Sequence, residues 1–213
     1  KLYEEHSFPV IGLPGTIDND LAGTDNTIGF DTATNTVVEA VDKIRDTADS
    51  HNRLFFVEVM GRDNGFIALR TGIATGAIAV MTPETGLDEN DLIKVLKAGQ
   101  RSQKSSSIVI VAEGDESGGA YELSKQVQKK TDLYDIRITV LGHLQRGGPP
   151  SCYDRVLASR LGVEAVEALK RGESNCMIGI VNDRLLSTPF EKAIGNKIHS
   201  LDDEVRIARI LSI

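Results

Sequence analysis

Ser107-Ile108-Val109-Ile110-Val111-Ala112 is apolar from Ile108 onward without polar alternation, and it closes on Glu113-Gly114. A strand with one wet face alternates apolar and polar residues. An unbroken apolar run bounded by turn residues belongs instead to a strand covered on both faces, as in parallel sheets. Outward from this run the pattern recurs. β-Branched and aromatic residues over 54–59 end at Met60-Gly61-Arg62, and short apolar runs stand at 9–13, 79–81, 136–141 and 177–181. Segments of helical period lie between them. Phe30, Ala33, Val37, Val41, Ile44 and Ala48 recur every three or four residues, and Leu92, Val95 and Leu96 mark a helix opening near Asp88. Further helices are predicted over 66–75, 121–130 and 153–170. Strand and helix alternate throughout, which predicts an α/β fold with largely parallel sheets.

A length of 213 residues suits one large domain or two modest ones. The 24 basic and 31 acidic residues leave a formal charge of −7, a poor fit to general nucleic-acid binding. No apolar run approaches the roughly 18 residues of a membrane helix. The opening Lys1-Leu2-Tyr3-Glu4-Glu5-His6 has no signal-peptide character. Cys152 and Cys176 lack metal-ligand spacing, so neither a disulfide framework nor a zinc module is expected. The expectation is a cytoplasmic protein with no membrane or nucleic-acid partner.

Ligands of parallel sheets gather at the carboxyl ends of strands, and four polar, glycine-rich clusters fall there. In Pro14-Gly15-Thr16-Ile17-Asp18-Asn19-Asp20 two carboxylates stand beside a hydroxyl and an amide. One carboxylate can accept a proton while the other helps hold a divalent metal. The same residues suit an Asx turn, and spacing alone does not choose. Gly142-His143-Leu144-Gln145-Arg146-Gly147-Gly148 offers backbone amides and a guanidinium to a phosphate. Arg53, Arg62 and Arg137 lie at strand ends or edges, and several arginines in an acidic protein point to an anionic substrate. Glu113 can accept hydrogen bonds from sugar hydroxyls, although a lone carboxylate at a strand end commonly faces water. Met60 reads as core filler, and His6, His51 and His199 read as surface residues. These residues describe a site for a phosphorylated, hydroxylated small molecule.

Pro14-Gly15-Thr16-Ile17-Asp18-Asn19-Asp20 and Gly142-His143-Leu144-Gln145-Arg146-Gly147-Gly148, together with Glu58-Val59-Met60-Gly61-Arg62, resemble three hallmark motifs of the 6-phosphofructokinases in family order, and Asp154-Arg155 fits as well. The resemblance implies two Rossmann-like lobes, the first incomplete. Residues 1–29 end the first lobe, 30–141 form the second on the sugar-phosphate side, 142–192 return to the first, and 193–213 pack on the second. It implies phosphoryl transfer from ATP, with Mg2+, to fructose 6-phosphate, the step of glycolysis that gives fructose 1,6-bisphosphate. Asp18 matches the catalytic base, Asp20 the aspartate associated with the metal, Thr16 a hydroxyl near the moving phosphoryl group, and Arg62 an arginine stabilising the transition state. Met60, Gly61, Glu113, His143 and Arg146 match the sugar-phosphate pocket. Arg53 and Arg137 match arginines that reach a neighbouring subunit's sugar phosphate, so a homotetramer is implied.

Relatives that use pyrophosphate carry lysine where Gly15 stands, so Gly15 favours ATP. Arg45, Gly76 and Lys104 match part of the effector site of bacterial relatives. Ile78 replaces a metal-holding glutamate there, and Ser105 and Ser106 replace basic residues, which implies altered control by purine diphosphates. The family's glycine-rich nucleotide segment has no counterpart before Lys1, so the expectation is a fragment that does not turn over alone. A non-catalytic sugar-phosphate-binding module and a pyrophosphate-dependent enzyme are the competing readings.

Overall fold

The computed structural model describes residues 2–48, 53–101, 108–115, 118–194 and 201–211. Two compact units divide the chain: Lys1–Thr32 with Pro149–His199, and Ala33–Gly148 with Ser200–Ile213. The first unit opens with α1 (Leu2–His6), β1 (Ile11–Gly12), β2 (Gly15–Thr16) and β3 (Ile28–Gly29), and α2 (Phe30–Ala48) leads into the second. Of the strand predicted over 9–13 only β1 forms, because Pro14 and the turn behind it take the remaining backbone elsewhere. β2 and β3 pair in parallel through Gly15↔Ile28 and Thr16↔Gly29.

The second unit alternates as its sequence predicts: β4 (Arg53–Val59), α3 (Phe66–Thr75), β5 (Ala79–Met81), α4 (Glu89–Arg101), β6 (Ile108–Ala112), α5 (Gly119–Lys130) and β7 (Asp135–Val140). The four strands are parallel in the order β5-β6-β4-β7. Every residue of β6 is buried, in accord with its unbroken apolar run. Leu54, Phe56, Met81, Leu92, Leu96, Val109, Val111 and Leu123 form the core, each buried aliphatic side chain adding roughly 1.5–3 kcal/mol against exposure. Asp88 caps α4, its Oδ1 accepting from the Asn90 and Asp91 N–H groups at 2.8 Å each. A 3-10 turn, Gly142–Arg146, follows β7.

The chain then returns to the first unit with α6 (Cys152–Lys170), β8 (Cys176–Val181), β9 (Arg184–Pro189) and α7 (Phe190–Ile194). β1 and β8 run parallel, and β8 and β9 form an antiparallel hairpin. Leu157, Leu161 and Ala168 of α6 pack on Ile178 and Ile180. Finally α8 (Asp202–Leu211) packs on α3 and β5 of the second unit. The unit boundaries differ from the expected ones, the first lying after Thr32 and not after residue 29. Residues 142–148 stay with the second unit, because the buried Gln145 bonds to the Met60 backbone there. α7 stays with the first unit, where it packs on β8 and β9, so residues 193 and 194 do not pack on the second unit as expected. No helix among the described residues is long and apolar enough to cross a membrane.

Candidate functional site

In the first unit, the loop between β2 and β3 is held by Asn19, Thr24 and Thr27, and by Asp25, whose Oδ2 accepts from the Asn182 N–H at 2.7 Å. Asn19 takes a left-handed conformation, φ 53°. Its Nδ2 donates to the Asp25 carbonyl at 3.0 Å, and its Oδ1 accepts from the Thr27 N–H at 2.8 Å. Thr27 Oγ1 donates to the Thr16 carbonyl at 2.6 Å. Thr24 ties the loop to β8, its Oγ1 accepting from the Ile180 N–H at 3.2 Å. Asp18 is 6% exposed. Its N–H donates to Thr16 Oγ1 at 3.2 Å, and that hydroxyl lies 3.4 Å from Asp18 Oδ2. Asp18 Oδ1 is buried with no hydrogen-bond partner among the described residues. A carboxylate oxygen in that position is costly unless a ligand group meets it. The turn bonds are thus made by Asn19 and Thr27, and an Asx turn leaves Asp18 Oδ1 unexplained. Asp20 is half-buried on the same loop.

Asp154 has a different duty. Its Oδ1 accepts from the Gly29 N–H at 2.9 Å and its Oδ2 from the Thr32 N–H at 2.8 Å, with Thr32 Oγ1 bonded as well. It anchors the start of α2, where a negative charge meets unpaired N–H groups.

In the second unit the carboxyl ends of β6, β4 and β7 are neighbours, and three of the sequence clusters meet there. Glu113 Oε1 accepts from the Gly61 N–H at 3.2 Å and the Arg62 N–H at 2.8 Å. Gly61 has φ 152° and Arg62 φ 55°, so one carboxylate oxygen shapes a left-handed bend that presents the Arg62 side chain. A Cβ at Gly114 would overlap the Arg62 carbonyl, so glycine is required for this close approach. Gln145, 1% exposed, joins the 3-10 turn to β4: its Oε1 accepts from the Met60 N–H at 3.2 Å, and its Nε2 donates to the Gly142 carbonyl at 3.0 Å. His143 and Arg146 are exposed on that turn, and Met60 is half-buried. The structure therefore brings Met60, Gly61, Arg62, Glu113, His143 and Arg146 to one edge. The sequence reading did not assign Gln145, and its position inside the glycine-rich motif was the only signal.

Arg53 and Arg137 lie toward the opposite end of this sheet. Arg53 opens β4, and Arg137 pairs with Phe55. Six residue steps separate Arg53 from Val59, about 20 Å of extended chain. The arginines meet at Asp135, whose Oδ2 is 2.8 Å from Arg137 and 3.6 Å from Arg53 Nε. Arg45 donates to the Thr75 carbonyl at the end of α3, beside the left-handed Gly76. Ile78 is 2% exposed, in the core. Lys104, Ser105, Ser106, His51 and His199 lie outside the described residues.

Among the described residues no group of three or more His, Cys, Asp or Glu is placed to hold a metal ion. Mg2+ commonly uses one or two carboxylates, with phosphate oxygens and water completing its shell. Asp20, one half-buried carboxylate, falls short of the donor set a caged cation needs.

A family model described as phosphofructokinase matches residues 1–169. The chain is 54% identical over 210 residues to ATP-dependent 6-phosphofructokinase 2 of Bacteroides thetaiotaomicron, covering 99% of this chain and 64% of that protein. It is 51% identical over 212 residues to ATP-dependent 6-phosphofructokinase 1 of Thermus thermophilus, covering 100% of this chain and 66% of that protein. The chain thus spans about two thirds of the length of these curated relatives. Among solved structures, phosphofructokinase from Saccharomyces cerevisiae superposes with a TM-score of 0.79 at 36% identity, over 90% of this chain and 27% of that one.

Proposed function

The chain belongs to the phosphofructokinase family, and from this premise we propose that it supplies the proton acceptor and the sugar-phosphate residues for transferring the terminal phosphoryl group of ATP to the 1-hydroxyl of fructose 6-phosphate. The products are fructose 1,6-bisphosphate and ADP. One observation carries this reading: Asp18 Oδ1 is buried and left over after Asn19 and Thr27 have made the bonds of the turn. Binding alone does not need a base, whereas a hydroxyl attacking phosphorus must give up its proton.

In the proposed reaction the 1-hydroxyl oxygen bonds to the terminal phosphorus, and the bond from phosphorus to the bridging oxygen of ADP breaks. The hydroxyl proton passes to Asp18. Thr16, bonded to Asp18, fixes the carboxylate and offers its hydroxyl near the moving group. Arg62 places a guanidinium against charge that grows on the phosphoryl oxygens. Asp20 is the residue that would hold Mg2+ arriving with the nucleotide, and the ion would supply neutralisation of phosphate charge. Met60, Gly61, Glu113, His143 and Arg146 take the sugar phosphate. Glu113 spends one oxygen on the Gly61-Arg62 backbone and keeps the other for a sugar hydroxyl.

Arg53 and Arg137 serve the sugar phosphate of a neighbouring copy, in a tetramer. Their position toward the far end of the strands from Met60 supports this. Gly15 supports ATP as donor, because a Cβ there would have open space around it and no lysine fills it. The buried Ile78 supports weakened control by purine diphosphates. Free Cys152 and Cys176 fit a reducing compartment, the cytoplasm.

The test joins this chain to the portion of the Bacteroides relative that it does not cover. This chimaera is expected to phosphorylate fructose 6-phosphate with ATP and not with pyrophosphate. Turnover with pyrophosphate alone would overturn the donor. A folded chimaera that binds the sugar phosphate without turnover with either donor would favour the non-catalytic reading.

A further inference from the structure

We infer that Asp135 is a resident counter-ion of the Arg53–Arg137 pair, one with which an incoming phosphate must compete. The inference rests on the proposed role of these arginines as a phosphate clamp and adds a residue that sets its strength. Asp135 opens β7 directly opposite Arg53 in the parallel register, and Arg137 follows two residues later on the same face. Asp135 Oδ2 stands 2.8 Å from Arg137 and 3.6 Å from Arg53, so one carboxylate oxygen faces both guanidinium groups. β7 is an edge strand, and the side chains of Arg53, Asp135 and Arg137 are 30%, 47% and 52% exposed, open to an anion from outside. Arg53 Nε is itself buried without a hydrogen bond.

Each guanidinium carries several N–H donors, and a single shared oxygen leaves most of the pair's capacity unused. A phosphate monoester presents three oxygens and about two negative charges to the same donors. It gains the pair's attraction and suffers repulsion from Asp135. The carboxylate therefore keeps the two positive groups together in the absence of ligand and lowers their affinity for phosphate. This sets a working range and not a maximum.

Inorganic phosphate is the probe, titrated into the 213-residue chain at low salt while the arginine side-chain N–H signals are followed by NMR. Asp135→Asn is expected to bind phosphate about fivefold more tightly, the size of one half-exposed charge interaction. Asp135→Glu, which keeps the charge, should stay near the parent. The gain should vanish in the double variant with Arg137→Ala and shrink at high salt. In the chimaera, Asp135→Asn should lower KM for fructose 6-phosphate by a similar factor and leave kcat unchanged, which distinguishes the sugar phosphate from free phosphate as the clamp's ligand. Phosphate binding that is unchanged or weaker in Asp135→Asn, or a gain that survives Arg137→Ala, would overturn the inference. The titration needs no turnover, so an inactive chimaera would count against the proposed enzyme and not against the counter-ion.

Discussion

Asp18 and Asn19 are adjacent, of nearly the same shape, and do opposite things. The Asn19 amide both donates and accepts, and it spends both capacities on the loop's own backbone. The Asp18 carboxylate can only accept, and one of its oxygens is left over. From the sequence an Asx turn and a catalytic loop were indistinguishable here, because both need short polar side chains at the same spacing. Which side chain bonds the backbone is decided in three dimensions. Under the proposed mechanism Asp18→Asn in the chimaera keeps the shape and loses the proton acceptor, so kcat should fall about 10²–10⁴-fold, with KM for fructose 6-phosphate flat or lower. Asp20→Asn should instead raise the Mg2+ or nucleotide concentration needed for half-maximal rate. If the loop served only as a turn, both variants would stay near wild type in steady-state kinetics, with folding checked by circular dichroism.

Elements place these residues, and the sequence disclosed them unevenly. The long periodic helices and the apolar strands of the second unit were legible because burial on one or both faces writes itself into residue order. β9 was not: Arg184–Pro189 is largely exposed and lacks an apolar alternation. Its signal was the pair Asn182-Asp183, with φ 50° and 61°, the two-residue turn that closes a hairpin. Gln145 was hidden for another reason, since a buried amide and an exposed one look alike in sequence. Gln145→Leu should leave the Met60 N–H buried without a partner, a loss of about 1–3 kcal/mol of stability. It should also loosen the turn carrying His143 and Arg146, raising KM more than it lowers kcat. Denaturant unfolding and steady-state kinetics of the variant read both effects. Within β8, a Cβ at Gly179 would overlap the Gly23 carbonyl, which is backbone and cannot swing aside. Gly179→Ala is expected to destabilise the first unit by about 1–3 kcal/mol, whereas Gly162→Ala on α6, where nothing lies near, should be neutral or slightly stabilising. Matched urea titrations of the two variants would show the difference.

At the scale of the whole molecule, the alternation of strand and helix gave the class, and three ordered motifs gave the family. The separation of Arg53 and Arg137 from the residues proposed for the sugar phosphate was implied by the family resemblance and not by residue order, which does not say which end of a strand a side chain serves until the register is known. Regulation also belongs to this scale. With Ile78 in the core, ADP should not sharply reduce the fructose 6-phosphate concentration needed for half-maximal rate of the chimaera, and a strong reduction would contradict the proposed loss of control. The central claim is that Asp18 of one copy and the Arg53–Arg137 pair of another complete one site, and mixing subunits tests it most directly. Asp18→Asn and Arg137→Ala chimaeras, each nearly inactive at low fructose 6-phosphate, are dissociated, mixed in equal amounts and reassembled. In a two-fold arrangement a mixed pair regains one intact site of two, so random mixing should restore about a quarter of wild-type activity. Activity that stays at the level of the separate variants, with subunit exchange demonstrated by mass spectrometry, would contradict the shared site.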